Sequence, residues 1–108
     1  MKVVINRRYG GFELSDIAME ELAKRKGWLT NRDMYNYMSL ITNNDEELYC
    51  CDIPRDDLDL VAIVESLGEK ANGRYSYLKV VKIPDNVNWY IDEYDGMESI
   101  TERHRTWE

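Results

Sequence analysis

The sequence predicts a small single-domain α+β fold over residues 1-108: a mostly antiparallel sheet with a C-terminal β-hairpin, covered by two or three helices. Asp95-Gly96 stands between two alternating segments, Asn88 to Tyr94 and Met97 to Arg103, and Asp-Gly supplies the positive φ that a tight hairpin turn needs. Two further stretches place apolar residues at helical spacing behind capping residues, Ser15 and Asp57. Short β-branched runs at Val3-Val4-Ile5 and Leu78 to Val81 supply the remaining strands.

Taken in order, Val3-Val4-Ile5 is a continuous apolar run, which predicts a strand buried on both faces and central in the sheet. The following loop, Arg7-Arg8-Tyr9-Gly10-Gly11-Phe12, sets cations and an aromatic beside permissive backbone, so it is either a ligand or partner loop or a tight connection. It lacks the spacing of a phosphate-binding loop. Ser15 caps a helix reaching Lys26, with Asp16 in its first turn, Ile17, Ala18 and Leu22 inward, and Gly27 at its end. Thr30 is placed to cap a short helix over Asn31 to Leu40, whose stripe of Met34, Tyr35, Tyr37, Met38 and Ile41 reads as core packing. If exposed, that stripe is a partner surface. Asn43-Asn44-Asp45 is a turn and Leu48 to Ile53 a strand. Asp57 caps a second helix with Leu60, Val61, Val64, Leu67 and Ala71 on one face, ended by Asn72-Gly73. Arg74 to Pro84 is the next strand, and Trp107 is read as the plug of the core, the alternative being an exposed stacking group.

The hairpin register pairs Tyr94 with Met97, Glu93 with Glu98, Ile91 with Ile100 and Trp89 with Glu102. Glu93 opposite Glu98 is a like-charge pair, destabilising unless a bound cation or basic partner, a Lys or Arg from another strand, or a shifted register relieves it. Glu98, Glu102 and His104 recur at strand spacing and offer a metal or acid/base constellation, against the plainer reading of a surface histidine.

The 108 residues suffice for one core, and a net charge of −7 argues against a general nucleic-acid binder while permitting a basic protein partner. Cys50 and Cys51 are adjacent, which disfavours an ordinary bridge, and no CxxC spacing suggests zinc. Asp52, Asp56, Asp57 and Asp59 do not match a calcium loop and read as helix capping. No cofactor or metal is expected. No apolar run approaches the roughly 18 residues of a membrane span, and the start lacks a signal-peptide core, so a cytoplasmic location is expected.

The opening VVINRRYGGFELS, the middle PRDDLDLVAIVESLGEKANGRYSYLKVVKIPD and the ending WYIDEYDGMESITERHRTW resemble a family of small bacteriophage and prophage proteins. Leu58 stands where that family often has proline. The resemblance implies a phage-type accessory gene and carries over no catalytic residue. Three functions follow as expectations. The first is a non-catalytic inhibitor of a host defence or regulatory protein, contacting it through Tyr90, Asp92, Glu93, Tyr94, Asp95, Glu98 and Glu102. The second is a sponge for a small anionic ligand such as a nucleotide signal, held by Arg7, Arg8, Tyr9, Gly10, Gly11, Arg103, His104, Arg105 and Trp107, provided both sets converge at one edge. The third is an enzyme using Glu98, Glu102 and His104. The chain is expected as a monomer or a homodimer.

Overall fold

Two capped helices and a pair of antiparallel strands build the centre, and two further small sheets flank it. The computed structural model describes residues 1–103. Its order is β1 (Lys2–Asn6), α1 (Asp16–Lys26), β2 (Leu29–Arg32), β3 (Met38–Ile41), β4 (Glu47–Leu48), α2 (Leu58–Leu67), β5 (Leu78–Lys82), β6 (Trp89–Tyr94) and β7 (Met97–Glu102). Three antiparallel sheets result, β1-β5, β2-β3-β4 and β6-β7, so the α+β class and the C-terminal hairpin hold. Among the described residues, no helix is long and apolar enough to cross a membrane.

Both N-caps and the end of α1 are as expected, whereas α2 stops at Leu67 with Gly68 as its C-cap, short of the Asn72-Gly73 end expected. Ser15 Oγ accepts from Ala18 N at 3.2 Å, and Gly27 closes α1 with φ 71. Asp57 caps α2, accepting from Leu60 N at 3.0 Å; the helix then tightens into a 3-10 turn over Gly68–Ala71. Val4, Leu14, Leu22, Leu40, Leu60 and Val64 belong to one buried cluster joining both helices to β1 and β3. Val3 and Ile5 are equally buried but lie outside it, and β7 packs against β1. The strand is therefore covered on both faces.

Five expectations need correction. The sheet is not single: β1 pairs along one edge with β5, from Lys2 opposite Lys82 to Asn6 opposite Leu78, and among the described residues its other edge meets no strand. There Val4 N donates to Arg55 O at 2.8 Å and Asn6 N to the Glu98 carboxylate at 2.8 Å, so a loop and a side chain do a neighbouring strand's work. The helix expected over Asn31 to Leu40 is the β2–β3 hairpin, because Asp33 Oδ1 accepts from Tyr35 N and Tyr37 N at 2.9 and 3.0 Å and Asn36 takes φ 69. The strand expected over Leu48 to Ile53 shrinks to β4 and gives way to a 3-10 turn, Cys50–Asp52, whose Asp52 side chain accepts from Tyr49 N at 2.8 Å. The strand from Arg74 is shortened to Leu78–Lys82, since a turn at Gly73–Ser76 precedes it. Ile17 is 52% exposed rather than inward. The core placement of Trp107 lies outside the described residues.

The C-terminus of α1 is tied to the start of α2. Lys26 Nζ meets Asp57 Oδ1 at 2.8 Å and Asp59 Oδ2 at 3.1 Å, a cation at the negative end of one helix against carboxylates at the positive end of the next. Burial pulls the Lys26 pKa down, but the bonds and charges of Asp57 and Asp59 outweigh it and the net shift is upward. The hydrogen bond from Lys26 chiefly holds Asp59 below the ordinary carboxylate range. The Asp59 contribution to stability is thus full above an unfolded pKa of about 3.9 and is lost as pH falls through the depressed folded value. The Lys26 contribution is full below about 10.4 and is lost as pH rises through the raised value. Lys26→Met is expected to flatten both limbs of a stability-against-pH curve measured by urea unfolding, while leaving the neutral-pH fold intact.

Candidate functional site

Strand alternation decides what the C-terminal hairpin offers. Its register is as expected, with Glu93 opposite Glu98 and Ile91 opposite Ile100. Trp89, Ile91 and Ile100 are half-buried on one face; Tyr90, Asp92 and Tyr94 stand exposed on the other. β6 has no further strand beside it, so its outer edge is open among the described residues.

The like-charge conflict is relieved by a cation, from a loop rather than from a strand. Arg55, just before α2, grips Glu98 with both arms: Nη1 to Oε1 at 2.6 Å and Nη2 to Oε2 at 2.8 Å. The guanidinium lies 3.6 Å from the centroid of the Phe12 ring. Glu98 Oε1 also accepts from Asn6 N, and Arg7 Nη1 donates to Glu98 O at 2.6 Å. Glu98 is 4% exposed, which corrects its place in the contact surface: it is an internal tie. Glu93, across the strand, is exposed. Glu98 and Glu102 therefore do not act together: one is neutralised inside, the other stands in solvent, and His104 lies outside the described residues. Among the described residues no group of three or more His, Cys, Asp or Glu is arranged to hold a metal.

The Arg7–Gly11 loop serves the same junction. Gly10 N donates to Asp95 O at 3.0 Å, and Asn6 Nδ2 donates to Gly96 O and Arg8 O, each at 2.7 Å. A Cβ on Gly96 would fall inside contact distance of Gly11 N and 2.8 Å from Gly10 C and N, so three glycines pack backbone against backbone. Gly10 and Gly11 take φ 120 and 105 to allow it. The loop thus closes over the hairpin turn, whereas Arg103 donates its N–H to Asn88 O at the open end. Of the residues expected to converge with this loop only Arg103 is described, at the hairpin end away from the loop; His104 lies outside the described residues. Arg105 and Trp107 lie outside the described residues. Arg7 instead shares a dimple of about 150 Å³ with Asp92, Glu93, Tyr94, Met97 and Ser99.

One feature was not singled out by sequence, and another, the Met and Tyr stripe, was read there chiefly as core packing. A cleft of about 570 Å³ opens between the start of α1, the β2–β3 turn, Tyr49–Cys51 and Asn72–Arg74. Phe12, Ile17, Met19 and Met38 give it an apolar floor and walls. Beside it, the β2–β3 turn exposes Met34 (87%) and Tyr35 (74%), residues expected in the core. Their alternation fits helix and hairpin alike; the only hairpin signal was Asp33 with Asn36, a side-chain-capped turn. On the cleft wall, burial first, then the carboxylates of Glu47 and Asp33, push the Tyr49 phenol up. Cys50 lines the same wall, its thiol pKa pushed up mainly by burial, and Cys51 is exposed beside it. Compared with protein-family models, with curated proteins and with solved structures, the chain gives no significant match.

Two expectations follow from the geometry. Arg55→Met leaves a buried carboxylate without its cation and should cost about 3–5 kcal/mol in urea unfolding. Adding Glu98→Gln, which keeps an acceptor for Asn6 N–H, should restore at least about 1 kcal/mol, a coupling that a double-mutant cycle reads directly. For the thiols, titration with a disulfide reagent at pH 8 should show a fast phase from Cys51 and a slow one from Cys50. Cys51→Ser should abolish the fast phase alone.

Proposed function

We propose that the chain is a non-catalytic accessory protein of the phage type that binds and inhibits a basic host protein along the open edge of β6. The observation that carries this is the fixed presentation of an acidic and aromatic ribbon. Tyr90, Asp92, Glu93, Tyr94 and Asp95 are all exposed along one strand and its turn. Among the described residues none of Asp92, Glu93, Asp95 and Glu102 sits in an ion pair. An edge strand offers main-chain hydrogen bonds to an incoming segment, while side chains of both faces reach its flanks. Here Tyr90, Asp92 and Tyr94 flank one side and Glu93 the other, with Glu102 further along on β7. The ribbon is held by Glu98 and Gly96 before any partner arrives, so little ordering cost falls on binding. The motif resemblance to phage proteins supports the origin, and the acidity supports a basic partner surface.

The test is affinity capture from host lysate with wild-type protein and with the double reversal Asp92→Lys, Glu93→Lys. These side chains are solvent-facing, so unfolding free energies should agree within about 0.5 kcal/mol. The wild-type should retain a host protein whose affinity falls with salt, and the reversed variant should lose at least tenfold, about 1.4 kcal/mol. The same protein retained equally by both variants would refute the assignment of this edge.

A further inference from the structure

The β2–β3 turn and the cleft beside it form a matched pair on one chain. The turn carries at its tip Met34 and Tyr35, which leave most of their surface exposed. It is also stiff. Asp33 Oδ1 holds Tyr35 N and Tyr37 N, and Arg32 Nη1 donates to Asn36 O at 3.0 Å. Arg32 Nη2 pairs with Asp16 on α1 at 2.8 Å, anchoring the turn's base. A rigid tip rich in tyrosine and methionine gains contact area at low entropic cost. The cleft is concave, with the half-exposed Ile17 on its rim and Phe12 and Met19 deeper in. Its volume of about 570 Å³ lies in the range of sites that enclose a guest. Tyr37 of the turn is itself a cleft wall, so the convex and concave parts are contiguous.

A two-fold pairing uses one patch on both copies, so a convex and a concave part side by side on that patch suit it, each copy supplying what the other lacks. We propose that the occupant of the cleft is a second copy of this chain: the tip of each turn, Met34 and Tyr35, seats in the partner's cleft. Charge agrees with this choice. Asp33 and Glu47 approach the Tyr49 hydroxyl at 3.4 and 3.2 Å at the base of the turn, an acidic spot. Arg74 also lines the cleft and joins no ion pair among the described residues, while the cleft's two carboxylates are engaged, Asp16 by Arg32 and Glu13 by the Arg74 N–H. Insertion of a tip brings its acidic base toward the partner's Arg74. The surface is separate from the β6 edge, so the dimer leaves that edge open.

Sedimentation equilibrium decides the matter with three proteins: the wild-type, a tip variant (Met34→Ser, Tyr35→Ser) and a cleft variant (Ile17→Arg). All three substituted residues are more than half exposed, and circular dichroism should show unchanged folds. The wild-type should self-associate, and each variant alone should associate at least tenfold more weakly. An equimolar mixture should associate to an intermediate degree, since the cleft variant's tip still fits the tip variant's cleft. A wild-type that stays monomeric up to about 1 mM would overturn the proposal. So would variants that dimerise like the wild-type, or a mixture that associates no better than its components. The readout is mass alone, so it stands or falls independently of host-protein capture.

Discussion

The bidentate contact between Arg55 and Glu98 is the constraint on which the rest of this structure depends. A strand as apolar as Val3-Val4-Ile5 must be covered on both faces and must also find acceptors for the N–H groups on both edges. β5 answers one edge. On the other, the Arg55 carbonyl takes Val4 N–H and the Glu98 carboxylate takes Asn6 N–H. A carboxylate at that depth needs a cation, and Arg55 supplies it with matched geometry while its flat face stacks on Phe12. One pair of side chains therefore joins β1, the approach to α2, the glycine loop and the C-terminal hairpin.

Removing Glu98 and Gly96 from the surface is what makes the hairpin a presented element. An isolated two-stranded ribbon is marginal in water. This one is pinned near its turn by Asn6, Arg7, Gly10 and Arg55, and among the described residues no further strand pairs with its outer edge. The β2–β3 turn is fixed by the same logic on the other flank, through Asp33 and the Arg32–Asp16 pair. In both places buried or local polar bonds carry the ordering cost, and the exposed tyrosines are set out by a backbone that has already paid it.

What could be read from residues alone divides along the range of the interactions. The helices were legible because Ser15, Gly27 and Asp57 act on backbone within one turn of themselves. The hairpin register was legible because Asp95-Gly96 fixes it locally. Glu93 opposite Glu98 announced a conflict, yet the partner that resolves it lies 43 residues away, and no periodicity points to Arg55. Gly10-Gly11 announced a close approach and invited a ligand; the approaching group is Gly96, another backbone far along the chain. The stripe of Met34, Tyr35 and Tyr37 misled because spacing that suits a helix also suits a strand pair. The deciding device is one aspartate bonding two amide groups across a tight turn.

The opposite fates of Glu93 and Glu98 show why composition is a poor guide to surface in a chain this size. They are the same residue type, directly across a ladder, and either could have been drawn inward by the pattern of Ile91 and Ile100. Glu98 goes in because it sits on β7, the strand nearer β1, where an unpaired amide and an arginine are waiting. Glu93 stays out because it sits on β6, whose outer edge meets nothing among the described residues. The acidic character of the exposed ribbon is thus set by strand position, not by net charge. Among the described residues, which form three small sheets, edge strands outnumber interior ones, and the exposed ribbon lies at an edge that no internal side chain has closed.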